Sequence, residues 1–158
     1  MRKKTSKKNI GSDITVNINI NCDVVRFNHR KLILMAQDTT KKFGVEKAQI
    51  NLLVINDKEI IRINRRFLNS EKLTDVISFD LSENGNNFKF FDIVVNGQMA
   101  QRQAKIRGHR PQSELALYFI HGLLHNLGFD DSTIKKAAKM HKMEDVILKK
   151  AGYGIVYK

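Results

Sequence analysis

Cysteine occurs once, at Cys22, so no disulfide can close within the chain, and a reducing compartment fits. Long apolar runs are missing too: no stretch approaches the roughly 20 residues needed to span a bilayer. The opening MRKKTSKKNIGSD carries positive charge with no apolar run behind it, unlike a secretory signal. These absences argue against a disulfide scaffold and a membrane-spanning protein, and the expectation is a cytoplasmic chain with no membrane partner. Acidic residues are scarce: 16 Asp and Glu face 28 Lys and Arg, giving a formal net charge of +12. An excess of that size points to a polyanionic partner, with solubility as the plainer reading. Repeats, low-complexity linkers and signs of a second domain are absent as well. The 158 residues, 42% of them hydrophobic, suffice for one domain with a proper core. Residues 1–12 read as a basic, disordered lead that either touches RNA phosphates or is a solvated tail, and 13–158 as the domain.

What is present reads as about four strands and about five helices. Residues 13–20, DITVNINI, alternate apolar and polar residues as a half-buried strand does. Residues 28–43 look helical, with Asn28 as cap and Leu32, Leu34, Met35 and Phe43 as apolar positions; His29 is expected to be exposed. Residues 49–55 form a second, more central strand, and 57–67 a short amphipathic helix capped by Asp57, with Ile60, Ile61, Ile63 and Phe67 apolar. After a loop over 68–72, residues 73–81 alternate again. The turn formers of 82–87 lead into a fourth strand over 88–95, most simply as a hairpin. Residues 98–107 read as a polar helix ended by Gly108. Pro111, the only proline, stands where a helix can begin at no cost in hydrogen bonds. Over 133–151 a last helix sets Ile134, Ala137, Met140, Ile147 and Leu148 against a lysine face. His141 and Glu144 fall on its apolar side, where they face a site, a buried arginine, or each other as a core polar pair.

The chemistry concentrates in residues 113–131, SELALYFIHGLLHNLGFDD. His121 and His125 stand one helical turn apart, so their side chains share a face. The helix around them is apolar on nearly every side, as a core helix is. An unpartnered polar ring there costs on the order of 1–3 kcal/mol, so two on one face imply a shared partner. Gly128 is placed to end the helix in a left-handed conformation, letting the chain bring Asp130 or Asp131 back toward the histidines. Two histidines and a third ligand suit zinc, one ion per chain, with water in the fourth position, acidified toward neutral pH. Zinc proteases with an H-E-x-x-H helix carry a glutamate base after the first histidine. Here Gly122 stands there, which removes the base and suits close packing against a strand.

HGLLHNLGFDD resembles the signature of the YbeY endoribonuclease family, the bacterial ribosomal RNA maturation factors. TDVISFD (74–80), INRRFLN (63–69) and FDIVVN (91–96) resemble three further segments of that family, in the same order, so the likeness covers roughly residues 47–151. The resemblance implies an α+β single domain, a small mixed sheet packed with helices, with the metal site on a buried helix. It implies a zinc-dependent endoribonuclease of single-stranded RNA, acting at the 3′ end of 16S ribosomal RNA and in ribosome quality control, with the small ribosomal subunit or its assembly factors as partners. The family's first two zinc ligands fall on His121 and His125, and its third, usually histidine, on Asp131, whose charge would leave bound water less acidic. Asp130 matches an acidic position that can orient a ligand from behind. A family arginine thought to assist catalysis is replaced by Leu68, with Arg65, Arg66 and Lys72 as possible electrostatic helpers nearby.

The leading expectation is thus a metal-dependent endoribonuclease in which Arg102, Lys105, Arg107 and Arg110 hold the RNA backbone. The alternative is a non-catalytic, RNA-binding ribosome-assembly factor with a structural metal, motivated by Leu68. A peptide hydrolase and a metal-free core helix are the remaining readings. By residue type alone, His109 and His141 are candidates for the general acid.

Overall fold

The alternation through the first strand places Ile14, Val16 and Ile18 on one face, and all three are buried in a computed structural model of the protein, which describes residues 13–154. The basic lead expected over residues 1–12 lies outside the described residues. Along the chain run β1 (Ile14–Ile20), α1 (His29–Lys42), β2 (Lys47–Ile55), α2 (Asp57–Leu68), β3 (Val76–Asp80), β4 (Phe88–Asn96), α3 (Gly97–Arg107), α4 (Pro111–Asn126) and α5 (Ile134–Lys150). The fold is α+β, with a 4-stranded mixed sheet in the order β1-β2-β4-β3. β1 and β2 run parallel, as do β2 and β4, with Ile50 beside Phe91 in register. β3 pairs antiparallel with β4, completing the expected hairpin, and places Val76 opposite Val95.

The two sheet faces differ because alternate residues of each strand point to opposite sides, and the two sets differ in composition. On one face Ile14, Ile50, Leu52, Phe91, Ile93 and Val95 form a continuous core with α1, α4 and α5. On the other, Ile77 and Val94 form a small cluster with Ile60 under α2. Across the middle of that face runs a polar row, where Asn17 donates to Asn51 (3.1 Å) and Asn51 to Asp92 (2.9 Å).

α4 sits at the centre of the covered face. Leu115, Phe119, Ile120, Leu123 and Leu124 have no exposed surface, and each such burial is worth about 1.5–3 kcal/mol. Pro111 occupies its first turn, as its missing N–H allows. Gly122 faces the sheet: a β-carbon there would lie 2.9 Å from Ile93 Cγ2 and 3.0 Å from Val76 Cγ2. The close approach expected of this glycine is therefore a contact with β3 and β4.

Several local expectations are corrected. Asn56, not Asp57, caps α2, because its side chain accepts from the Glu59 N–H (2.9 Å) while Asp57 has already turned into the helix. Leu68 ends α2 and does not open the loop. β3 begins at Val76, because the Asp75 carboxylate accepts from the Val76 N–H (2.8 Å) and the chain bends at Asp75. Leu34, Phe67 and Ile134 are exposed at 44%, 60% and 92%, so the apolar stripes of α1, α2 and α5 are narrower than their sequences suggest.

Candidate metal centre

Three residues with metal-ligating side chains converge at the C-terminal end of α4, and the local sequence accounts for each. His121 and His125, one turn apart, share a face of α4 beside the one on which Gly122 meets the sheet. Their Nε2 atoms lie 3.1 Å apart. The helix then closes in a Schellman turn. Gly128 adopts φ 102°, its N–H reaches the His125 carbonyl (3.1 Å), and the Phe129 N–H reaches that of Leu124 (2.9 Å). This reversal seats the Phe129 ring edge-on to Phe43 at 5.1 Å and sets the Phe129 carbonyl against His125 Nδ1 at 3.1 Å. Two residues on, Asp131 Oδ2 lies 3.5 Å from His121 Nε2 and 3.6 Å from His125 Nε2.

The hydrogen bonds fix the protons on both rings. The Phe129 carbonyl can only accept, so His125 Nδ1 must donate to it. His121 Nδ1 lies 2.7 Å from the carboxylate of Glu144, which has no exposed surface. In the neutral rings both Nε2 atoms therefore present lone pairs to each other and to a carboxylate oxygen. Three electron-rich atoms in a triangle of 3.1, 3.5 and 3.6 Å call for a cation. Tetrahedral ligands about 2.0–2.1 Å from zinc stand roughly 3.3 Å from one another, so the triangle fits an ion of that size with little movement. His121, His125 and Asp131 can thus hold a metal ion.

Electrostatics point the same way. Burial alone pushes the His121 imidazole down, but the hydrogen bond and charge of Glu144, with Asp75 and Asp131, outweigh it and hold His121 above its ordinary value. A metal ion on His121 would displace that proton and meet the same negative field. Glu144 Oε2 is buried without a hydrogen-bond partner. Of the three fates open to Glu144, the structure realises the site: it braces the first histidine from behind, as a carboxylate commonly braces a ligating imidazole.

The other expected residues divide. Asp130 turns away from the histidines: its carboxylate accepts from the Ser132 N–H and hydroxyl, both at 2.8 Å, and pairs with Lys136 at 3.1 Å. Those bonds hold its acid down at about 2 and brace the turn that carries Asp131. Arg102 is committed to Asp57 through two nitrogens, at 2.7 and 2.9 Å. Arg107 reaches Glu114 (3.3 Å), and His109 closes on the other oxygen of the same buried carboxylate. Lys105 and Arg110 are exposed. Arg65 pairs with Glu71 at 3.1 Å, Arg66 lies over the Phe67 ring, Lys72 is exposed, and Leu68 is 54% exposed. His141 is half-buried on α5.

A polar cavity of about 250 Å³ opens beside His121, between α3, α4 and Asp75. A larger hollow of about 410 Å³ lies between α1 and α5. Its lining is mostly apolar and shares no residue with the histidine cluster, so donor chemistry, not size, locates the site. Sequence reading did not single out Glu114 or Asp75. The available signal was a glutamate in the first turn of an otherwise apolar helix.

A family model described as Endoribonuclease YbeY matches residues 15–152. The protein of that name from Elusimicrobium minutum (strain Pei191) is 38% identical over 102 residues, covering 63% of this chain and 71% of the relative. Its namesake from Endomicrobium trichonymphae is 34% identical over 122 residues, covering 77% and 84%. A solution structure of a Thermotoga maritima protein shares the fold, with a TM-score of 0.53 and 20% identity, over 85% of this chain and 90% of that one.

Proposed function

The chain belongs to the endoribonuclease YbeY family, and from that premise we propose that it is a zinc-dependent endoribonuclease of single-stranded RNA. The observation that carries this reading is the triangle of His121 Nε2, His125 Nε2 and Asp131 Oδ2, in which both imidazoles have their other nitrogen already bonded. In this reading these three residues hold one zinc ion. Bound zinc supplies Lewis acidity toward a phosphoryl oxygen and acidifies water near neutral pH.

The chain's own residues do the rest. Glu144 and the Phe129 carbonyl fix the tautomers and aim both rings. Asp131, 42% exposed at its side chain, stands on the open side of the cluster, where an extended RNA strand can approach. Lys105 and Arg110 attract the phosphate backbone, and the +12 charge extends that field over the molecule. Arg102 serves the fold through its pair with Asp57. The cellular role we infer is maturation of small-subunit ribosomal RNA at its 3′ end and ribosome quality control, in the cytoplasm, in contact with the small subunit or its assembly factors. Among the described residues no helix is long and apolar enough to cross a membrane.

The test is cleavage of a single-stranded RNA by zinc-loaded protein beside identically purified His125→Ala and Asp131→Ala variants. The expected result is cleavage by the parent and loss of at least about 100-fold in both variants, with zinc content falling in parallel. Equal cleavage by parent and variants, or none by a parent that holds one zinc, sinks the reading. In the second case, ribosome association surviving in His125→Ala would favour an RNA-binding assembly factor.

A further inference from the structure

We propose that Arg107, aimed by the buried Glu114, binds a phosphate of the RNA strand in the polar cavity beside His121. The inference rests on the endoribonuclease reading and adds to it a specific phosphate subsite.

The argument begins with Glu114. It lies in the first turn of α4 and has no exposed surface. A buried carboxylate persists only when paired, and each of its oxygens has its own partner: Arg107 Nη1 on Oε1 at 3.3 Å, His109 Nε2 on Oε2. Arg107 is the last residue of α3, and Gly108 turns the chain with φ 74°. The pair therefore ties the end of α3 to the start of α4.

A merely structural tie would not need an arginine. Arg107 spends one N–H on Glu114, and a guanidinium has five in a planar fork. Its side chain remains 43% exposed. Arg107 lines the cavity of about 250 Å³, whose wall also includes Gln103, Tyr118, Asp75 and His121. A carboxylate-held guanidinium and one member of the histidine cluster therefore line the same cavity. Asp75 and Glu114 make the cavity hostile to an anion unless a cation faces it, and Arg107 is the one arginine or lysine among its lining residues. Arginine held from behind by a carboxylate is pre-organised for bidentate contact with phosphate. The exposed Lys105 and Arg110 flank the same α3–α4 turn, continuing a path for the backbone.

The experiment is a charge-deletion scan across the interface. Single-stranded RNA of about 12 nucleotides is made with one neutral methylphosphonate linkage at each successive position. Equilibrium binding to the zinc-loaded protein is measured at 4 °C for the parent, Arg107→Ala and Arg107→Lys, with oligonucleotide integrity checked on a gel. The parent should lose at least about fivefold in affinity at one linkage. That loss should vanish in Arg107→Ala and be partly restored in Arg107→Lys, while the effects at other linkages persist. A structural role alone would lower affinity or stability evenly and leave the positional profile unchanged. The same profile in parent and Arg107→Ala overturns the proposal, as does an RNA-binding parent with no sensitive linkage. Arg107→Lys answers the question if Arg107→Ala does not fold. Binding is read separately from cleavage, so a protein that shows the coupling yet never cuts would refute the nuclease reading and leave this one standing.

Discussion

Gly122 carries hydrogen where any other residue would carry a β-carbon 2.9 Å from Ile93 Cγ2 and 3.0 Å from Val76 Cγ2. Both neighbours are β-branched and stiff, and Ile93 is fully buried, so neither can yield cheaply. Gly122→Ala should cost about 1–3 kcal/mol in urea unfolding and lift α4 from β3. Because His121 is its neighbour in sequence, zinc affinity should fall in the same variant. An alanine protein with the parent's unfolding midpoint would contradict this packing. The geometry also explains why an H-E-x-x-H base is impossible here: a glutamate at 122 would be driven into the sheet. Glu144 is the complementary case. Glu144→Gln keeps the shape but removes the charge behind His121 Nδ1, and zinc affinity by competitive chelator titration should drop about 10–100-fold. An affinity within twofold of the parent would mean that Glu144 is a core group without influence on the ion.

At the scale of elements, Asp57 and Arg102 join the start of α2 to α3. The Arg102 hydrogen bonds, with help from Asn96 and against the effect of burial, hold the Asp57 carboxyl below its ordinary value. A depressed acid stabilises the fold above its unfolded pKa of about 3.9 and loses that contribution as pH falls through the lower folded value. Asp57→Asn should therefore be about 1 kcal/mol less stable than the parent above pH ~5. The gap should close as the pH is taken below ~4, as read from urea melts across pH. A gap independent of pH would assign the pair no electrostatic role. The elements themselves were largely legible in the sequence, because periodicity and caps are local: the Asn28 cap, the Pro111 start, the Gly108 and Gly128 stops and the β3–β4 hairpin all stand as read. What was not legible was either a choice between adjacent caps or a placement that depended on distant partners. Asn56 and Asp57 are equally good caps on paper, and only the Glu59 N–H distinguishes them. Ile134 sits at the right spacing for the core, yet the first turn of α5 has nothing above it to pack on. Glu144 could be read as a misplaced charge until α5 was laid against α4.

Across the whole molecule, the positive charge is less free than its total suggests. Arg102, Arg107, Arg65 and Lys136 each face a carboxylate, so they build the fold as well as the field. That distinction was invisible in a count of lysines and arginines, whereas the histidine cluster was visible because its three side chains lie within one short stretch. The sheet shows the same division of labour. Its covered face carries α4 with the histidine cluster, and across its other face, beyond the patch under α2, runs a row of amides that ends on one acid.

The turn between α4 and α5 is gripped from both sides: His121 and His125 lie before it, Asp131 within it, and Glu144 reaches back from beyond it. Occupancy of the cluster and docking of the last helix are for that reason two faces of one equilibrium. An ion that favours the closed arrangement must be favoured by it to the same degree. Anything that pries α5 away loosens the ion by the same factor, so this helix has a direct thermodynamic say in whether the site is filled.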